Sequence, residues 1–136
     1  MTVIACISDG GGMTFFGKRV SRDKAVVADV DALSRDGALF VSLYSEGLFS
    51  ECGVSVIAVT DPFTSAGAGD YVFIEDKSIS EHLEKISTLV LYRWNRKYPF
   101  DRSLGFEPSE CGFTLSSSVD FKGNAHEKIT KEIYKR

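Results

Sequence analysis

The chain has 136 residues, the length of one domain with one ordinary core, and reads as a single domain over 1–136. Hydrophobic residues make up 43% and charged residues 26%, with ten Phe and five Tyr, a balance that can bury enough surface to offset ordering entropy. The net charge of −3 provides no general field for nucleic acid, so no nucleic-acid partner is expected, and no apolar run nears the roughly 18 residues of a membrane span.

"TVIACIS" is a short, nearly continuous apolar run, which suits a strand buried on both faces. The stretch "DGGGMTFFGK" then reads as a loop, and its triple glycine, Gly10, Gly11 and Gly12, tolerates backbone angles that other residues avoid. From Ser21 the period changes. Val26, Val30 and Leu33 recur at helical spacing, with Ser21 as a cap and Gly37 as a stop. "ALFVSLY" reads as a second strand, "SEGLFSECG" as a short helix or turn, and "VSVIAVT" as a third strand closed by the loop "DPFTSAGAGD". "YVFIE" is a fourth strand. Ser78 and Glu81 match a capping box ahead of a short helix carrying Ile79, Leu83 and Ile86. "TLVLYRW" is a fifth strand, "NRKYPFDRSLGFEPSECG" is irregular, and "FTLSSSVDF" alternates weakly as a strand. In the tail, Ile129 and Ile133 fit either a helix or one face of a strand. Strands alternating with helices, then strands alone, imply an α/β fold: a mixed, mostly parallel central sheet with flanking helices and a C-terminal antiparallel hairpin.

Cys6, Cys52 and Cys111 form no CxxC pair, and an odd count cannot close an intramolecular disulfide set, so reduced thiols in a cytoplasmic protein are expected. With only His82 and His126 and no paired-cysteine pattern, no histidine-rich metal centre is expected. Neither GxSxG nor a Cys with an evident His partner occurs, so nucleophilic hydrolysis has no visible machinery. His82 reads as a surface residue. "SAGAGD" precedes a strand, whereas a dinucleotide fingerprint follows one and opens a helix, and no P-loop GK[ST] is present.

Taken in order, these segments resemble the dihydrofolate reductase-like family, which includes the reductase domain of riboflavin biosynthesis. "VIACISDGGGM" looks like the first strand and the start of the mobile active-site loop, and "SRDKAVVADVDAL" is similar to the acid-bearing helix. "LVLYRWNRKYPFD", "FTLSSSVDF" and "HEKITKEIYKR" resemble the last three strands, which favours a strand for the tail. The resemblance implies that Asp23 is the substrate-orienting carboxylate, with a pKa raised by desolvation. Asp23 equally suits the first turn of a helix, where the macrodipole favours a carboxylate. Gly10, Gly11 and Gly12 would belong to a lid beside it, or to an inert turn.

The departures fall on the cofactor site. Where the family has a Gly-Arg-x-Thr turn for the dinucleotide phosphates, this chain has Ser42, Leu43, Tyr44 and Ser45, so only the Ser45 hydroxyl survives for cofactor binding. Where a Gly-Gly pair ends a later strand, it has Glu75 and Asp76, which repel a pyrophosphate. A short, divergent member with a degraded NADPH site is therefore expected, binding a heterocyclic or nucleotide-like small molecule or acting without catalysis. The alternatives are an active NADPH-dependent oxidoreductase acting on a pterin-like substrate, and a protein–protein interaction module using an exposed sheet edge.

Overall fold

The computed structural model describes residues 1–136. Strand β1 (Thr2–Ile7) alternates Val3, Ala5 and Ile7 toward one hydrophobic cluster with Ile4 toward another, so both faces are buried as the unbroken apolar run predicts. Next come β2 (Gly12–Phe15) and β3 (Lys18–Arg19), a hairpin where the sequence pattern predicts a loop. Its two-residue turn holds Phe16 at φ 50° and Gly17 at φ 75°, the left-handed pair that suits strand twist. The hairpin is hard to read because Phe16 is 79% exposed and β3 has only two residues.

Helix α1 (Lys24–Leu33) buries Val26, Val27 and Val30. Its cap is Asp23, not Ser21: the Asp23 carboxylate accepts from the Ala25 N–H at 2.8 Å. Strand β4 (Leu39–Ser42) leads through a 3-10 turn, Leu43–Ser45, into α2 (Glu46–Ser50), then β5 (Ile57–Val59). The stretch expected as a loop contains α3 (Pro62–Ser65), capped by Asp61 accepting from Phe63 N–H at 3.1 Å. Strand β6 (Tyr71–Phe73) follows.

The expected capping box does not form. Ser78 Oγ lies 3.1 Å from Ser80 Oγ, no side chain caps the segment, and Ser80–Lys85 is a 3-10 helix broken at His82 (φ −125°). His82 is half-buried, its ring stacked on Phe63 at 4.0 Å, so packing there overrides the local helix signal. Then come β7 (Thr88–Arg93), β8 (Arg102–Ser103), β9 (Thr114–Phe121) and β10 (Ile129–Lys135). The tail is a strand.

The main sheet runs β5-β4-β6-β1-β7-β10-β9. From β5 to β7 all neighbours are parallel; β10 pairs antiparallel with β7 and with β9. A smaller sheet, β3-β2-β8, flanks it. One face is covered by α1 and α2, burying Ile4, Val41, Phe73, Val90 and Tyr92; the other is covered by Phe63, Ile79, Ile86 and Phe113. No buried side-chain nitrogen or oxygen lacks a hydrogen bond. No helix is long and apolar enough to cross a membrane.

Phe49 on α2 is fully buried and meets Phe73 edge-on at 5.0 Å, pinning α2 to the sheet. Phe49→Ala is expected to cost about 3–5 kcal/mol, read as a lowered midpoint in urea denaturation.

Candidate functional site

In an open parallel sheet the crevice beyond the carboxyl ends of the strands is the natural ligand position. Here that end gathers the N-terminus of α1, the residues after β1, β4 and β6, and the loop from β9 to β10. Asp23 sits at its centre, with a side chain fully withdrawn from solvent.

Both oxygens of Asp23 are taken up by the protein itself. Oδ1 accepts from the N–H groups of Ala25 (2.8 Å) and Asn124 (2.7 Å). Oδ2 accepts from the N–H groups of Ala125 (2.7 Å) and His126 (3.1 Å), and lies 2.9 Å from His126 Nδ1. The loop approaches closely because Gly123 has no side chain: a Cβ there would lie 2.6 Å from Oδ2. The expectation of a raised pKa is reversed. Burial pushes the carboxyl up, but the hydrogen bonds from His126 and from the Asn124, Ala125 and Ala25 backbone outweigh it and hold it at about 2.

His126 is buried, and its other nitrogen, Nε2, lies 2.9 Å from Ser21 Oγ and 3.4 Å from the Tyr98 hydroxyl. Trp94 stacks on the imidazole at 4.6 Å. Neither Ser21 nor His126 carries a local motif; they are 105 residues apart, and the β9–β10 hairpin brings them together.

Ser45 is fully buried and donates to Glu75 Oε1 at 2.7 Å. Arg19 binds the same carboxylate through both arms, Nε to Oε2 at 2.8 Å and Nη2 to Oε1 at 3.0 Å. Ser42 Oγ donates to Asp76 Oδ1 at 2.9 Å. Hydrogen bonding to Glu75 pushes the Arg19 guanidinium upward, against a smaller opposing effect of burial. Burial, then the Glu75 charge, push the Cys6 thiol up.

Gly10 (φ 86°) and Gly11 (φ 83°) make a tight turn from β1 into β2, closed by Gly11 N–H to Ser8 O at 2.9 Å and Ser8 N–H to Gly12 O at 2.9 Å. A Cβ on Gly12 would lie 2.5 Å from the Phe100 ring and from Ser8 Oγ. A crevice of about 170 Å³ opens beside Asp23, lined by Arg22, Lys24, Leu48, Glu51 and Asn124 among others. A narrower slit of about 10 Å³ lies next to it, against Ser21, Cys6 and Trp94. No group of three or more His, Cys, Asp or Glu is placed to hold a metal ion.

The order of strands, the helix that begins at Asp23 and the C-terminal antiparallel pair define a dihydrofolate reductase-like fold. The structure is similar to that of the dihydrofolate reductase from Enterococcus faecalis complexed with NADP(H) and RAB-propyl, with a TM-score of 0.68 over 99% of this chain and 95% of that one. Identity is 12%, so the likeness is one of fold. No family model and no curated protein matches the sequence.

The low pKa of Asp23 stabilises the fold above its ordinary value near 3.9, by about 2 kcal/mol, and that stability is lost as pH falls through about 2. Asp23→Asn is expected to cost about 3 kcal/mol at pH 7, because its amide NH2 meets N–H donors, and to flatten the loss of stability between pH 4 and 2. Urea denaturation of both proteins across that range checks it. Gly12→Ala is expected to destabilise by about 1–3 kcal/mol through overpacking, with Phe100→Ala in the same chain recovering part of the melting temperature.

Proposed function

We propose that the protein is a divergent user of this fold that has lost NADPH binding and takes a small heterocyclic or nucleotide-like molecule in the crevice beside α1. The observation that carries this reading is Glu75. It stands where the resemblance puts a glycine of the pyrophosphate site, and its buried carboxylate consumes the Ser45 hydroxyl and both arms of Arg19. Ser42 is spent in the same way on Asp76. The residues therefore do not fit a dinucleotide phosphate: the nearby hydroxyls are committed to carboxylates, and two negative groups face the anion.

In this reading Asp23 is a positioning residue that holds the 123–126 loop and His126 against the crevice, and Gly10–Gly12 act as a fixed turn. Ligand recognition then falls to the crevice lining, where Arg22 is paired with Glu51 at 3.0 Å at the surface and Lys24 supplies a second cation. The three cysteines are free thiols, which suits a reducing, cytoplasmic setting.

Calorimetric titration with NADPH at low salt is expected to give no heat with folded protein; micromolar binding would return the active-reductase reading. A thermal-shift panel of pterins, purines and nucleotides is expected to contain a molecule that raises the midpoint by a few degrees. No shift across the panel counts against the crevice as a ligand site. A second reading, an interaction module, is favoured by the β9 edge, where Leu115 and Val119 are 47% and 53% exposed. Analytical ultracentrifugation separates it, because edge pairing requires a concentration-dependent dimer.

A further inference from the structure

Ser21 Oγ, the two nitrogens of His126 and the Asp23 carboxylate form one unbroken hydrogen-bonded line, with steps of 2.9 Å and 2.9 Å. The direction of that line follows from charge. An ionised carboxylate accepts only, so the proton between His126 and Asp23 sits on Nδ1, and in the neutral form of the ring Nε2 presents its lone pair to Ser21. Ser21 Oγ–H then donates to Nε2. Four backbone N–H groups clamp Asp23, which cannot turn away, and Trp94 covers the imidazole, so the tautomer is held by rigid surroundings.

We propose that Ser21 is the nucleophile of an acyl-transfer site that hydrolyses esters of short acyl groups, with His126 as general base and Asp23 as its positioning residue. A nucleophile, a base and an orienting acid within hydrogen-bond reach are recognised by geometry, whatever the fold. Ser21 is only part-buried, as an attacking group must be, and lines a slit of about 10 Å³, room for little more than one water molecule, so only the smallest acyl groups could approach it and they must enter from the adjoining crevice. The 170 Å³ crevice, which shares Arg22, Asp23, Val27 and Leu48 with the slit, would take the leaving group.

The step balances with water as the only co-reactant. Ser21 Oγ bonds to the carbonyl carbon while its proton passes to His126 Nε2; the carbonyl–oxygen bond to the alcohol breaks, and Nε2 returns the proton to the departing oxygen. Water then attacks the acyl-serine, giving its proton to Nε2, and Ser21 leaves with that proton as the carboxylic acid is released. The proposal shares the crevice with the ligand-binding reading but needs nothing from the absence of NADPH. An NADPH titration that bound would overturn that reading and leave acylation of Ser21 to be judged by itself.

The test is intact-protein mass spectrometry and peptide mapping after exposure to a fluorophosphonate, with a stopped-flow trace of p-nitrophenyl acetate alongside. The expected result is one phosphonyl group per chain on Ser21, a burst of about one equivalent of nitrophenolate, and a rate lower by at least ~100-fold in a Ser21→Ala protein that still melts cooperatively. A folded wild-type protein that takes no label, a label that maps to another residue, or a Ser21→Ala protein that keeps its rate overturns the proposal. The mapping is made on the wild-type chain, so the outcome does not depend on how the variant folds.

Discussion

The Asp23 carboxylate organises the functional end of the molecule. A buried charge is tolerated only when its lone pairs are met, and here five donors meet them, one from the helix it caps and four from a loop a hundred residues away. One side chain thus does two structural tasks. It ends the α1 N-terminus, and it fastens the β9–β10 connection across the mouth of the parallel sheet. Because three of the distant donors are backbone N–H groups and Gly123 must stay small for them to approach, the loop has little freedom to lift away.

Glu75, which lines the narrow slit, repeats the same physics. Arg19 from the β2–β3 hairpin and Ser45 from the turn after β4 converge on it, tying the small sheet to the end of the large one. A buried ion pair of this kind gains little net stability over an apolar contact, since desolvation offsets most of the attraction. Its consequence is placement: the Ser45 hydroxyl and both arms of the Arg19 guanidinium are held on Glu75, as His126 and the loop backbone are held on Asp23.

How much of this was legible in the sequence depends on the range of the signal. The parallel strands announce themselves as unbroken apolar runs, and α1 through Val26, Val27 and Val30, because burial is written locally at a period of two or 3.6. The β2–β3 hairpin leaves no such trace, since two-residue strands and an exposed Phe16 carry no period. The Ser78–Glu81 box failed for the opposite reason: the local pattern was present, but stacking of His82 on Phe63 decided the backbone. Asp23, Glu75 and Asp76 were singled out by their positions in the resemblance, yet their partners could not be. Arg19 is 56 residues from Glu75, and His126 is 103 from Asp23, distances at which only the register of the sheet brings side chains together.

The same range argument explains why hydrolytic machinery looked absent. Motifs such as GxSxG flag a nucleophile because a strained turn displays it, so the signal is a property of that turn and not of the chemistry. Ser21 is displayed by another device. It lies two residues before Asp23, the cap of α1, so the serine lines the narrow slit while the nearby acid turns inward to His126. Nucleophile and orienting acid are thus two residues apart in sequence, and only the base is remote. That arrangement couples the geometry of the line to the seating of a single loop. Any change that shifts the 123–126 backbone moves His126 away from Ser21 and from Asp23 at once.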